Sequence, residues 1–123
     1  MPYPFYKVVH FLGIFTMLTV LAAMSMHAMK GGTKADVPHR RPLMIAHGVA
    51  TLFALTGGFG MLARLGAFHG ALPGWVFLKL ALWLVLAAAP WFVHRGRTIA
   101  RAAIVALPLV AALGGAIALY KPL

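Results

Sequence analysis

The chain has 123 residues, 63% of them hydrophobic, and a mean hydropathy of +0.92. Four separate runs each reach the ~20 apolar residues that cross a bilayer, which excludes an ordinary soluble domain. Net charge is +10, Asp36 is the only acid and cysteine is absent, so disulfides, thiolate metal sites, thiol nucleophiles and carboxylate-pair hydrolysis are excluded too.

The first span, residues 5–29, reads FYKVVHFLGIFTMLTVLAAMSMHAM. It lacks the cleavage pattern of a secretory signal and is expected to stay as an anchor. His10 and His27 lie roughly 25 Å apart along such a helix, so each belongs to a different half of the membrane. An imidazole within a span is costly unless it meets protein, a cofactor or an aqueous cavity. His10 is therefore open to two readings: a ligand, or a hydrogen bond to a backbone carbonyl or hydroxyl across the bundle. The run Met24-Ser25-Met26-His27-Ala28-Met29 raises copper, but alternate residues do not share a helix face. Methionine is also common filler in apolar helices.

A polar loop, KGGTKADVPHRRP (residues 30–42), leads to the second span, residues 43–63, with His47, Thr51 and the glycines Gly57, Gly58 and Gly60. Small residues let neighbouring membrane helices approach closely. The second connection, residues 64–74, holds Phe68 and His69, and Trp75 opens the third span at interfacial depth. That span, residues 75–94, contains Lys79, with Pro90 as an expected bend. Residues 95–101, RGRTIAR, are expected to form the third turn. The fourth span, residues 102–120, carries Pro108 and Gly114-Gly115.

The expected architecture is all-α: an integral membrane four-helix bundle forming one domain over residues 1–123. Lys30, Lys34, Arg40, Arg41, Arg95, Arg97 and Arg101 lie on one side, against Lys7, Arg64 and Lys121 on the other. This asymmetry predicts cytoplasmic basic loops and both termini on the periplasmic side of a bacterial inner membrane. The cations meet anionic lipid there, and no nucleic acid partner is expected.

On that topology His10 lies about 7 Å inside the outer end of its span, level with Lys79 and near Arg64 and Lys121. One imidazole and three cations, without a carboxylate, suit an anion, or a metal whose organic carrier brings its own carboxylates. Haem b meets both conditions: its iron for His10, its propionates for Lys79, Arg64 or Lys121. The plain alternative is that Lys79 snorkels and the other two anchor helix ends. In the inner half His27, His47 and His94 share one face of the membrane, and His47 is the candidate there for a second cofactor position. His39 is expected to be solvated.

The motifs resemble two groups of small bacterial membrane proteins, the SirB-like and the HemJ-like families. Lys7-Val8-Val9-His10 is similar to the K-x-x-H opening of both, and Trp75 to Leu80 to their tryptophan-then-lysine third span. Arg41 with His47-Gly48-Val49-Ala50-Thr51-Leu52, and Arg95-Gly96-Arg97-Thr98, resemble SirB-type patterns, while Tyr120-Lys121-Pro122-Leu123 resembles the HemJ-like ending. Ala50 stands where SirB-like chains carry an acid, and Met24–Met29 replaces the aromatic, arginine-bearing end of the first HemJ-like span. The resemblance implies the SirB-like architecture, with haem binding through His10 and a role for Lys79 as the HemJ-like expectation, serving electron transfer or porphyrinogen oxidation. The alternative function is a cofactor-free accessory subunit of a larger membrane complex, or a homo-oligomer, packed through the glycines of spans two and four.

Overall fold

The computed structural model describes residues 2–64 and 73–120. Within them the chain forms α1 (Tyr3–Met29), α2 (Arg40–Arg64), α3 (Gly74–Phe92) and α4 (Arg97–Tyr120), with one short 3₁₀ turn at Lys34–Asp36 and no strand. All four helices are long and apolar enough to cross a membrane. Many large apolar side chains face outward, including Phe15 (63% exposed), Leu52 (61%) and Leu119 (82%). In water such a surface would drive aggregation, whereas lipid covers it at no hydrophobic cost.

Backbone chemistry sets the helix ends. Pro4 and Pro42 sit in the first turns of α1 and α2, where N–H groups have no intrahelical acceptor and their loss costs nothing. At the end of α1, Gly31 takes φ +86°. Its N–H meets the Ala28 carbonyl at 3.0 Å while that of Gly32 reaches His27 at 3.1 Å, the paired closure that a left-handed residue permits. His39, exposed and at φ +55°, supplies the carbonyl that accepts the Leu43 N–H at 3.0 Å.

Several helix ends differ from the expected spans by one to five residues, and α2 begins at Arg40, inside the expected first loop. α3 ends at Phe92, leaving His94 in the turn, and α4 begins at Arg97, so the basic stretch to Arg101 is helix. Hydropathy marks where the lipid core begins. The backbone ladder continues past it wherever water or headgroups solvate the arginines.

The helices run antiparallel to their sequence neighbours. His10 near the start of α1 meets Ala54 in the second half of α2. His47 in the first half of α2 meets Leu86 late in α3, and Gly114 of α4 approaches Lys79 and Leu82 of α3. One end of the bundle thus gathers His10, Lys79 and the close of α2, and the other His27, His94 and the loop cations. The buried core runs from mid-bundle toward this second end, with Met17, Leu21, Met24, Ala54, Leu86, Ala89, Val93, Ala103 and Leu107 in one cluster.

Candidate functional site

α1 and α2 come together through small residues. A methyl group on Gly57 would lie 2.5 Å from the His10 backbone nitrogen and 2.7 Å from the Tyr6 carbonyl. One on Gly13 would lie 2.5 Å from the backbone nitrogen of Ala54. Gly60 lies against the Tyr6 ring. Glycine is required at Gly13 and Gly57 because the obstacles there are backbone atoms that cannot swing aside.

This contact carries the His10 ring into a fixed setting. Its Nδ1 lies 2.7 Å from the Ala54 carbonyl oxygen, which only accepts, so Nδ1 bears the proton. The neutral ring then has its lone pair on Nε2. A hydrogen bond from the other ring nitrogen to a backbone carbonyl is the usual way a metal-ligating histidine is oriented. Gly58 flanks the ring, 3.5 Å from a would-be methyl carbon to Nδ1.

His10 lines a cavity of about 720 Å³ bounded by residues of all four helices. That lies within the roughly 300–1,000 Å³ of small-molecule and cofactor sites. Its walls are mainly apolar and aromatic, with Trp75 and Trp83 from α3 and Phe11 from α1, and its charged members are Lys7 and Lys79. The Lys79 stem passes beside Gly114, 4.0 Å from where a methyl carbon there would sit. Phe11, Phe15 and Leu119 border the cavity and are exposed on the outside of the bundle, so it opens sideways, where lipid lies.

Of the sequence candidates, His10 and Lys79 share this cavity. Arg64 ends α2, exposed and outside the lining, and Lys121 and His69 lie outside the described residues. Met61 and Trp83, which no sequence motif marks, also line the cavity, as does Lys7 of the K-x-x-H opening, one turn before His10.

His47 lies elsewhere, 4% exposed, its Nε2 3.1 Å from the Leu86 carbonyl. That carbonyl is four residues before Pro90, which has no N–H to give it. His47 supplies the missing donor. One turn on, Thr51 donates its hydroxyl to the His47 carbonyl at 2.7 Å, and Trp83 Nε1 donates to the Thr51 carbonyl at 3.1 Å.

The three inner histidines do not all converge. His27 and His94 meet, ring centroids 5.9 Å apart, while His47 is engaged with Leu86. His27 Nε2 lies 2.6 Å from Asp36 Oδ1, which also accepts the Thr33 N–H at 2.7 Å. The His27 hydrogen bond first, and the Thr33 N–H second, hold the Asp36 carboxyl below its ordinary range.

The glycines expected to serve a partner are largely used within the chain. Gly57 and Gly60 are filled by α1, Gly58 by the His10 ring and Gly114 by α3, whereas a methyl on Gly115 meets nothing within 4 Å. Comparison with protein-family models, curated proteins and solved structures found no match for this chain.

Proposed function

We propose that this small membrane protein binds haem b in the His10 cavity, where His10 would hold the iron, in a SirB-like architecture with HemJ-like cofactor use. The observation that carries the reading is His10 itself. Its proton is committed to Ala54 on Nδ1 and its Nε2 lone pair belongs to a residue bordering a cavity of about 720 Å³. The rest of the lining suits the group: aromatic and aliphatic walls for the macrocycle, and Lys79 and Lys7 for two carboxylates. A bound haem would supply one-electron chemistry, for electron transfer or for oxidation of a porphyrinogen. The residues of this chain would hold and orient it and keep bulk water away. The basic loops face the cytoplasm of an inner membrane in this reading, with the His10 cavity in the outer half.

The test is the absorption spectrum and the haem content of the purified protein, with folding checked by detergent gel filtration. A Soret band and reduced α-band features are expected. His10→Ala should lose most of the haem, because no protonated lysine has a lone pair to replace imidazole. Lys79→Met should weaken retention or shift the potential, and His47→Ala should keep the haem. Full occupancy in His10→Ala would sink the assignment. A colourless, well-folded wild type would favour the cofactor-free subunit of a larger complex.

A further inference from the structure

At the opposite end of the bundle a small cavity of about 70 Å³ is lined by Met24 of α1, Met44 of α2 and His94 of the turn after α3. Three separate segments thus bring two thioethers and an imidazole to one enclosure. Met24 is 2% exposed and both ring nitrogens of His94 are shielded from solvent. Val37, Pro90 and Trp91 complete the apolar wall, and the exposed Arg40 stands at its rim.

The volume exceeds the roughly 10–15 Å³ that one water requires, so an ion fits without unpacking the core. Among the described residues no group of three His, Cys, Asp or Glu is placed to hold a metal. That lack disfavours hard and borderline divalent ions, which need carboxylates or several imidazoles. Neutral sulfur and nitrogen donors suit a soft d¹⁰ cation of single charge. A single charge also tolerates the exposed Arg40 at the rim, since an exposed arginine can keep its charged head in water. The single acid, Asp36, is hydrogen-bonded to His27, and His27 stacks edge-on against His94. The one negative charge of the chain therefore lies on the same side of the bundle as this donor set.

We propose that Met24, Met44 and His94 form a binding site for Cu(I), with Ag(I) as its redox-inert equivalent. The two thioether sulfurs and one imidazole nitrogen give three-coordinate ligation. The ion enters from the aqueous side at the basic loops, where the 30–42 loop and the turn at residues 93–96 meet. This site shares no residue with the His10 cavity and does not depend on what that cavity holds.

The full chain, purified in detergent without added metal, is titrated with Cu(I) against a chromophoric chelator and with Ag(I) by calorimetry. One ion per chain is expected, with sulfur and nitrogen neighbours in the copper X-ray absorption spectrum. Met24→Leu and Met44→Leu keep volume and apolarity, so both should fold. Each should weaken binding at least as much as losing an outer-shell partner does at metal sites, roughly 10–100-fold. Met26→Leu, exposed two residues from Met24, should bind as wild type. A folded wild type that leaves all Cu(I) with the chelator overturns the site. So does wild-type affinity in Met24→Leu/Met44→Leu, an equal loss in Met26→Leu, or Zn(II) bound as tightly as Cu(I).

Discussion

His10 and His47 make the same kind of bond, a ring nitrogen to a main-chain carbonyl on the next helix, yet they do different work. The Leu86 carbonyl that His47 meets has been orphaned by Pro90. His47 thus repairs a break in α3 inside a closed interior. The Ala54 carbonyl that His10 meets is already served by the Gly58 N–H in the ladder of α2. His10 repairs nothing there; the bond orients a ring that borders the large cavity. A buried histidine in a membrane helix is therefore judged by what its acceptor would lack without it.

The largest expected effect comes from closing the room on which the His10 end depends. Gly57→Ala places a carbon 2.5 Å from the His10 main chain. The helices must separate, and overpacking of this kind costs about 1–3 kcal/mol. The His10–Ala54 bond should break with it, so haem content, where haem is bound, falls together with thermal stability in detergent. Gly48→Ala, outside the cavity, meets nothing within 4 Å and should leave both unchanged. Equal stability of the two variants would mean that α1 and α2 are not in backbone contact.

The second expected effect separates the two histidines directly. His47→Leu leaves the Leu86 carbonyl unpaired in an apolar interior, at a cost of about 1–2 kcal/mol. In a Pro90→Ala background the restored backbone N–H at position 90 serves that carbonyl, so the same substitution should cost much less. His10→Leu should cost less than His47→Leu in the wild-type background, since Ala54 keeps its helical partner. Denaturation of the four proteins and the His10 variant by a stepped detergent titration gives the cycle. Additive losses at His47 and Pro90 would remove the repair role.

The sequence made the spans legible because lipid imposes length and apolarity on each of them. His10 and Lys79 were legible together because depth along an antiparallel helix can be counted from loop to loop. Helix rotation cannot be counted this way. Lys7 lines the cavity and Arg64 does not, a difference set by which faces α1 and α2 present to each other. Gly13 leaves no trace in the sequence because a lone glycine in an apolar run gives no periodic signal, whereas the cluster at Gly57, Gly58 and Gly60 does. The His47–Leu86 bond had a trace in the sequence: Pro90 always orphans the carbonyl four residues before it. Which helix answers is a tertiary fact. The pairing of Asp36 with His27 was open to anticipation, since the loop between them is short.

The smallest expected effect is at the closed end, where Asp36 ties the first loop to α1. Its carboxylate accepts hydrogen bonds from the His27 ring and the Thr33 N–H, and both favour the ionised form. The sign of the pH dependence follows. The folded carboxyl titrates below the unfolded value of about 3.9, so its contribution to loop order is complete above that value. It fades only as pH falls through the lower, folded value. The group is fully exposed and open to screening by salt, so the loss should be local to residues 30–36, with the four helices intact. The measurement is the Thr33 amide proton shift by NMR against pH in detergent. A single transition below the ordinary aspartate range is expected, together with its absence in Asp36→Asn. A midpoint at or above about 3.9 would mean that the two hydrogen bonds do not persist in solution. The loop would then be held by Gly31 and Gly32 at the end of α1 alone.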